Sequence, residues 1–128
     1  MKALKDINVT VAKGKFTLVL GDIGSGKSSL LLAILNEMKC SKESKIEING
    51  SIAYAAQKPW IMSSTVRDNI TFSLPYDTAK FEKIIHFASL KKDLEILTKG
   101  DMTEIGEKGI NLSGGQKARV SLARALYS

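Results

Sequence analysis

Short apolar runs, separated by glycine and polar residues, occur through the first half of the chain and favour strands. Leu4 to Val11 partly alternates between apolar and polar residues, which predicts a half-exposed strand. Phe16 to Leu20 is almost wholly apolar and predicts a short buried strand nearby. Ile46 to Ile48 and Ile52 to Ala55 flank Asn49-Gly50, a dipeptide typical of tight hairpin turns, so they predict an antiparallel pair of strands.

Helical spacing of apolar residues first appears after the predicted strand at 16–20. A helix is predicted from Ser29 to Met38, and its apolar residues on nearly every side predict burial within a stack of sheet and helix layers. Ser64 or Thr65 can cap a second, short helix that ends at Ile70.

The second half of the chain continues in helices. Asp77 or Thr78 can cap a longer helix with an apolar stripe made of Phe81, Ile84, Ile85 and Ala88. His86 falls outside that stripe and is interpreted as a surface residue. Further helices are predicted at 91–97 and 116–126, with a polar loop from Gly100 to Asn111. Strands combined with helices in this order predict an α/β fold.

The most informative stretch connects the predicted strand at 16–20 to the first helix. It reads G-D-I-G-S-G-K-S from Gly21 to Ser28, which is a complete G-x-x-x-x-G-K-[ST] phosphate-binding loop. Its glycines let backbone N–H groups surround a polyphosphate, and the helix N-terminus adds a partial positive charge. Lys27 would hold the β and γ phosphates, and the Ser28 hydroxyl would ligate Mg²⁺. The predicted nucleotide-binding residues in this stretch are Gly21, Ile23, Gly24, Ser25, Gly26, Lys27, Ser28 and Ser29.

Gln57 directly follows the predicted strand at 52–55. Ligands of open α/β sheets bind at the carboxyl ends of strands, so its amide oxygen is placed to reach Mg²⁺ or an attacking water. Taken alone, an ordinary loop residue is the more common interpretation of such a glutamine. The apolar residues Pro59 to Met62 follow in a predicted exposed loop, and they indicate a surface that another protein covers.

A second constellation lies at Leu112-Ser113-Gly114-Gly115-Gln116, immediately before the last predicted helix. Ser113 and Gln116 fit a capping box, in which each side chain bonds the backbone of the other residue. A capping box does not explain two glycines in a first helical turn, where each costs about 1 kcal/mol relative to alanine. Glycine is explained if another molecule approaches the backbone closely, and this helix N-terminus would suit an anion. The pattern therefore predicts contact with a nucleotide held by another domain.

The composition of the chain argues against several classes of protein. The net charge is +6, but the basic residues are scattered and lack interleaved aromatic residues, which argues against nucleic-acid binding. Cys40 is the only cysteine, so no internal disulfide is possible and a reducing compartment is favoured. No apolar run reaches the roughly 18 residues of a membrane span, and the lysine-rich start does not resemble a signal peptide.

Gly21 to Ser28, Gln57 and Leu112 to Gln116, in that order, resemble the Walker A motif, Q-loop and signature motif of ATP-binding-cassette (ABC) ATPases. The resemblance implies a P-loop NTPase fold with an N-terminal antiparallel β portion and a helical subdomain. It implies ATP and Mg²⁺ as cofactors, with Ser28 and Gln57 meeting the metal. It also implies a head-to-tail dimer with a second nucleotide-binding domain, whose ATP would contact Ser113, Gly114, Gly115 and Gln116.

Several segments are similar to the first nucleotide-binding domain of the C subfamily, the multidrug-resistance-associated proteins: 51–54, 59–61, 66–70, 91–94 and 103–109. This likeness implies contacts with transmembrane domains through the apolar residues 59–62, called the Trp60 region below, and through the Thr103–Gly109 loop. It implies a domain on the cytosolic face of a membrane that hydrolyses ATP to drive export. Alternatives are a regulatory domain that senses ATP without efficient hydrolysis and a soluble ABC ATPase acting on DNA or in translation. An unrelated P-loop kinase or GTPase would leave the Gly114-Gly115 pair without a purpose.

The resemblance divides the chain into three parts: the β portion with Walker A and Q-loop at 1–64, the helical subdomain at 65–111, and the signature motif with its helix at 112–128. The sequence stops at Ser128, before the strand on which the family carries its Walker B aspartate and catalytic carboxylate. No catalytic residue is therefore expected within 1–128, and this stretch alone is expected to be inactive as an ATPase.

Overall fold

The computed structural model describes residues 4–107 and 109–128. It separates into two compact units, Met1–Ile52 and Ala53–Ser128. Within the described ranges, no helix combines the length and the apolar character that crossing a bilayer requires.

The first unit contains one regular element among its described residues, helix α1 at Lys27–Ile34. The apolar spacing predicted this helix at 29–38, so it begins earlier and ends earlier than expected. The chain leaves the helix at Leu35, and Asn36 then adopts a left-handed conformation with φ of 59°. The predicted burial of the helix is wrong, because Ala33 is its only buried residue and Leu31 is 44% exposed.

The predicted strands of this unit are also not formed. Residues 4–11, 16–20 and 46–48 have irregular backbone in the structure, and so do residues 52–55, where the chain passes into the second unit. Phe16 is 91% exposed and Leu20 is 80% exposed, although the sequence predicted a buried strand at this point. A strand depends on a hydrogen-bonded neighbour and on a layer that covers its apolar face. Neither is present among the described residues of this unit, so the apolar pattern alone does not produce a sheet there.

The second unit is built from four helices and a small sheet within its described residues. Helices α2 (Val66–Thr71), α3 (Thr78–Phe87), α4 (Lys91–Ile96) and α5 (Gly114–Tyr127) lie within one turn of their predicted limits. Helix α5 packs mainly against α2 and α3. The buried core that they share consists of Val66, Ile70, Phe81, Ile84, Ile85, Ala88, Leu90, Ile105, Leu112, Val120, Ala123 and Tyr127.

Side-chain caps begin α2 and α3, as the sequence predicted. Thr65, rather than Ser64, caps α2 by accepting a hydrogen bond from the Asp68 backbone N–H at 3.0 Å. Asp77, rather than Thr78, caps α3 by accepting from the Lys80 N–H at 2.9 Å. The apolar stripe of α3 faces the core, while His86 is exposed, which confirms its interpretation as a surface residue.

The segment predicted as a polar loop at 100–111 is more regular than expected. It contains a 3₁₀ turn at Gly100–Met102 and strand β2 at Glu104–Ile105. Strand β2 pairs antiparallel with β1 at Ser64–Thr65, with Ser64 opposite Ile105. Ile105 is buried in the core, which anchors an otherwise polar segment. A strand of two residues is too short for its alternation to be recognised in the sequence.

Candidate nucleotide-binding site

The predicted phosphate loop wraps around the ammonium group of Lys27. Lys27 is the first residue of α1, and its Nζ donates hydrogen bonds of 2.7 Å to the carbonyl oxygens of Gly21 and Asp22. Gly24 and Gly26 have φ values of 82° and 95°, in the left-handed region that glycine adopts at low cost. The loop therefore bends back over the helix terminus and holds a positive charge at its centre.

The start of α1 offers backbone donors to an anion. The first hydrogen bond of the helix runs from the Leu30 N–H to the Gly26 carbonyl, and the cap residue Gly26 contributes no side chain. The N–H groups of a first helical turn lack acceptors within their own helix. Together with the Lys27 ammonium and the partial positive charge of the helix terminus, these donors suit a polyphosphate.

The remaining predicted ligands of the nucleotide and metal are exposed, apart from Ser29, which is half-buried. Ile23 and Ser28 are exposed in the first unit, and Gln57 is exposed in a bend of the second unit. A hydroxyl and an amide oxygen are suitable ligands for Mg²⁺, which prefers oxygen donors. The shared role of Ser28 and Gln57 at a metal stays a prediction.

The predicted signature turn contains the capping box that the sequence indicated. The Ser113 Oγ accepts a hydrogen bond from the Gln116 N–H at 3.3 Å, and the Gln116 Oε1 accepts from the Ser113 N–H at 2.9 Å. The Ser113 hydroxyl uses only an acceptor position in this box, so its proton can still be donated to an anion.

Gly114 and Gly115 are not required by packing within the chain. Both are exposed, and neither has the positive φ that favours glycine. A Cβ at Gly114 would meet no atom within 4 Å, and one at Gly115 would make an ordinary contact of 3.4 Å with Arg119. Alanine would fit both positions and would favour the helix. The described part of the chain therefore gives no reason for glycine here.

Asp93 braces this turn, although no pattern in the sequence indicated that role. Its Oδ2 accepts from the Arg119 Nε at 2.7 Å, and its Oδ1 accepts from the Arg119 Nη2 at 2.9 Å and the Gln116 Nε2 at 3.3 Å. These bonds, chiefly those from Arg119, lower the pKa of Asp93. Gln116 and Arg119 are one turn apart on α5, a local signal, but Asp93 lies 23 positions before Gln116.

Arg124 gives the Trp60 region a partner inside the chain. Its guanidinium carbon lies 3.7 Å from the centre of the Trp60 ring, and it donates to the backbone and side-chain oxygens of Asn69 at 2.6 and 3.0 Å. Burial of Arg124 lowers its pKa. The sequence predicted that another protein covers Trp60, and 48% of this residue remains exposed and accessible to such a partner. Nothing local in the sequence pointed to Arg124.

Residues 4–128 match the family model described as ABC transporter. The chain therefore belongs to the ABC transporter family, which implies a P-loop NTPase fold and an ATP-binding domain. The resemblance of the sequence motifs to those of ABC ATPases is thus confirmed at the level of the family.

Three similar proteins carry names of the C-subfamily or multidrug-resistance type. The chain is 53% identical to "Multidrug resistance protein mrp-7" of Caenorhabditis elegans over 126 residues, which cover 98% of this chain and 8% of that protein. It is 52% identical to "ATP-binding cassette sub-family C member 2" of Mus musculus over 124 residues, 97% of this chain and 8% of that protein. It is 50% identical to "ABC transporter C family member 3" of Dictyostelium discoideum over 126 residues, 98% of this chain and 9% of that protein. The chain thus spans less than a tenth of the length of these relatives.

Proposed function

We propose that residues 21–28 bind the phosphates of MgATP and that, in the intact protein, hydrolysis of this ATP drives export of a substrate across a membrane. The observation that carries the proposal is the arrangement at α1, where the Lys27 ammonium lies inside a loop of backbone groups at a helix N-terminus. Family membership supplies the coupling to transport. The names of the relatives, which include a multidrug resistance protein and a heme exporter, support export as the direction.

Within the proposed site, the parts of the loop have different roles. Lys27 exchanges its bonds to the Gly21 and Asp22 carbonyls for bonds to the β and γ phosphates. The N–H groups of the first turn of α1 bind the remaining phosphate oxygens. Ser28 and Gln57 would hold Mg²⁺, and the ion would supply positive charge against the phosphates during transfer to water.

The signature turn is proposed to bind the ATP of a second nucleotide-binding domain. Two glycines that packing does not require, next to a serine whose hydroxyl proton is available, suit close approach by a phosphate group. The γ phosphate of the other domain's ATP would approach Gly114 and Gly115 and accept from Ser113. ATP would then close the two domains upon each other, and that closure would be transmitted to the membrane domains.

The contact with transmembrane domains is proposed to involve the Trp60 region and the Thr103–Gly109 loop. Trp60 is 48% exposed, and Phe72, at 48% exposure, lies against its ring at 5.5 Å between centroids. The pairing of β1 with β2 brings the end of the Trp60 region beside the loop. Of that loop, Lys108 lies outside the described residues. One surface therefore combines exposed apolar rings with the loop, which suits a protein partner. In this arrangement the domain lies on the cytosolic face of the membrane and contacts the bilayer only through the rest of the transporter.

The test is photolabelling of the intact protein with an azido-ATP. Lys27→Ala is expected to abolish labelling at this domain, because the charge at the centre of the loop is lost. Lys39→Ala removes an exposed lysine of the same unit and is expected to label like the wild type. Labelling of Lys27→Ala at the level of Lys39→Ala would show that the loop does not bind ATP.

A further inference from the structure

Asp93 connects helix α4 to the signature turn through a single side chain. Gln116 uses both ends of its amide, since its Nε2 donates to Asp93 while its Oε1 accepts from the Ser113 backbone N–H. Arg119 binds the same carboxylate with two nitrogens, one turn further along α5. A continuous set of hydrogen bonds therefore runs from Asp93 through Gln116 to Ser113.

The chemistry of these groups fixes the orientation of the Gln116 amide. A carboxylate only accepts hydrogen bonds and a backbone N–H only donates, so a rotated amide would lose both interactions. With an amide in place of the carboxylate at position 93, one of the two oxygens that accept from Gln116 and Arg119 would become an NH₂ donor, so the Gln116 amide would be fixed mainly at its Ser113 end. The acceptor of the Ser113 N–H would then be held less firmly, and the first turn of α5 with it.

The surroundings of Asp93 suit a fixed brace rather than a solvated surface pair. The Asp93 side chain is 14% exposed and the Arg119 side chain is 37% exposed, which limits competition from water. The bidentate geometry restricts both partners more than a single contact would. The next residue, Leu94, packs against the hydrophobic core and anchors α4 there.

We propose that Asp93 is a positioning residue of the signature turn, which acts through Gln116 to hold Ser113 and the two following glycines in the conformation that receives the other domain's γ phosphate. This inference rests on the proposed function of the turn. An ordinary ion pair would contribute to stability only. A positioning residue is distinguished by its effect on ATP turnover at a site to which it does not belong.

The test compares variants of the intact protein by ATP turnover and by azido-ATP labelling of this domain. Asp93→Asn is expected to lower kcat by about tenfold, because misplaced groups at a reacting site are costly, while labelling at this domain stays within about twofold of the wild type. Glu95→Gln removes an exposed carboxylate from the same helix and should leave both readouts unchanged. The proposal would be overturned if Asp93→Asn turned over ATP as fast as Glu95→Gln. It would also be overturned if Asp93→Asn lost labelling in proportion to its loss of turnover.

Exchanging the charges of residues 93 and 119 distinguishes a positioning role of Asp93 from a role in the ion pair alone. Asp93→Arg combined with Arg119→Asp restores an ion pair but places only donors opposite the Gln116 Nε2. Thermal stability is expected to recover in this double variant, while turnover stays low. Recovery of turnover would show that only the ion pair matters and would overturn the proposal.

If Asp93→Asn accumulates poorly, Asp93→Glu provides the test, because it keeps the charge but moves the carboxylate. Reduced turnover of Asp93→Glu with normal labelling would support the positioning role. Turnover at the wild-type level would exclude that role.

Ser113→Arg, measured in parallel, distinguishes failure of this inference from failure of the proposed function. If Ser113→Arg lowers turnover and Asp93→Asn does not, the turn has its proposed role and Asp93 does not position it. If Ser113→Arg leaves turnover unchanged, the turn does not meet the other domain's ATP, and any effect of Asp93→Asn must have another origin.

Discussion

The two units of this chain carry similar apolar runs in the sequence but bury them very differently. In Met1–Ile52 the side chains of Phe16, Leu20 and Ile23 are mostly exposed. In Ala53–Ser128 the side chains of Ile70 and Tyr127 are at most 1% exposed. The difference follows from the elements that the runs form. A helix satisfies its own backbone and needs only one covered face, whereas a strand needs neighbours for both its backbone and its side chains.

The two motifs that are proposed to bind phosphate also differ in how they are held. The loop at 21–28 is formed by contiguous residues, and its main internal bonds join Lys27 to carbonyls five and six positions away. The signature turn is held by a capping box and also by Asp93, which lies on another helix. A motif of the first kind is recognisable from its letters alone. A motif of the second kind depends on the fold around it, so variants far from it in sequence should affect it.

The largest effect that the comparison predicts is on stability. Ile70→Ala in the 128-residue chain is expected to lower the free energy of unfolding of the 53–128 unit by about 2–5 kcal/mol, because it removes buried methyl groups and leaves a cavity. Leu18→Ala, at a position that is 66% exposed, is expected to change the free energy of unfolding of its own unit by less than about 0.5 kcal/mol. Hydrogen exchange in denaturant measures the first effect on the α2 and α5 amides and the second on the α1 amides. Equal effects of the two substitutions would show that the units do not differ in packing as described.

A smaller effect is expected from pH. Bonds from Arg119 to Asp93 and from Ser64 to Asp68 lower the pKa values of these two carboxyls in the folded state. A lowered pKa contributes stability above the unfolded pKa of about 3.9, and that contribution is lost as the pH falls through the folded pKa. The 53–128 unit should therefore lose stability below about pH 4, and Asp93→Asn should remove about 1 kcal/mol of that dependence.

The matched control for the pH experiment is Glu95→Gln, which removes an exposed carboxyl from the same helix. Denaturant midpoints between pH 3 and pH 7 provide the measurement, with the exchange of α5 amides as the probe. A pH dependence that is the same in Asp93→Asn and in the wild type would mean that Asp93 does not gain stability from Arg119.

Local signals in the sequence account for much of the second unit. The caps at Thr65 and Asp77, the stripe of α3 and the capping box of Ser113 with Gln116 were all predictable, because each depends on residues within one or two turns. The phosphate loop was recognisable for the same reason. The resemblance built on these motifs led to the ABC transporter family, which the family comparison confirmed.

Interactions between distant residues were not predictable. Asp93 and Arg124 bind groups that lie 23 and 55 positions away, and no periodic pattern connects residues so far apart. Strand β2 depends on its pairing with β1 and on burial of Ile105, which a two-residue pattern does not reveal. The strand predicted at 16–20 is the opposite case, because a clear apolar pattern predicted an element that is not formed. The described residues of its unit supply no neighbouring strand with which it could pair.

The proposed roles of the two motifs are separated by Ser113→Arg in the intact protein, with azido-ATP labelling of this domain and ATP turnover recorded together. Labelling at this domain is expected to be largely retained, because the loop at 21–28 is untouched. Turnover should fall strongly, because an arginine side chain would occupy the space where the other domain's phosphate is proposed to approach Gly114 and Gly115. Loss of labelling at this domain with turnover otherwise retained would show instead that the turn serves this domain's own nucleotide.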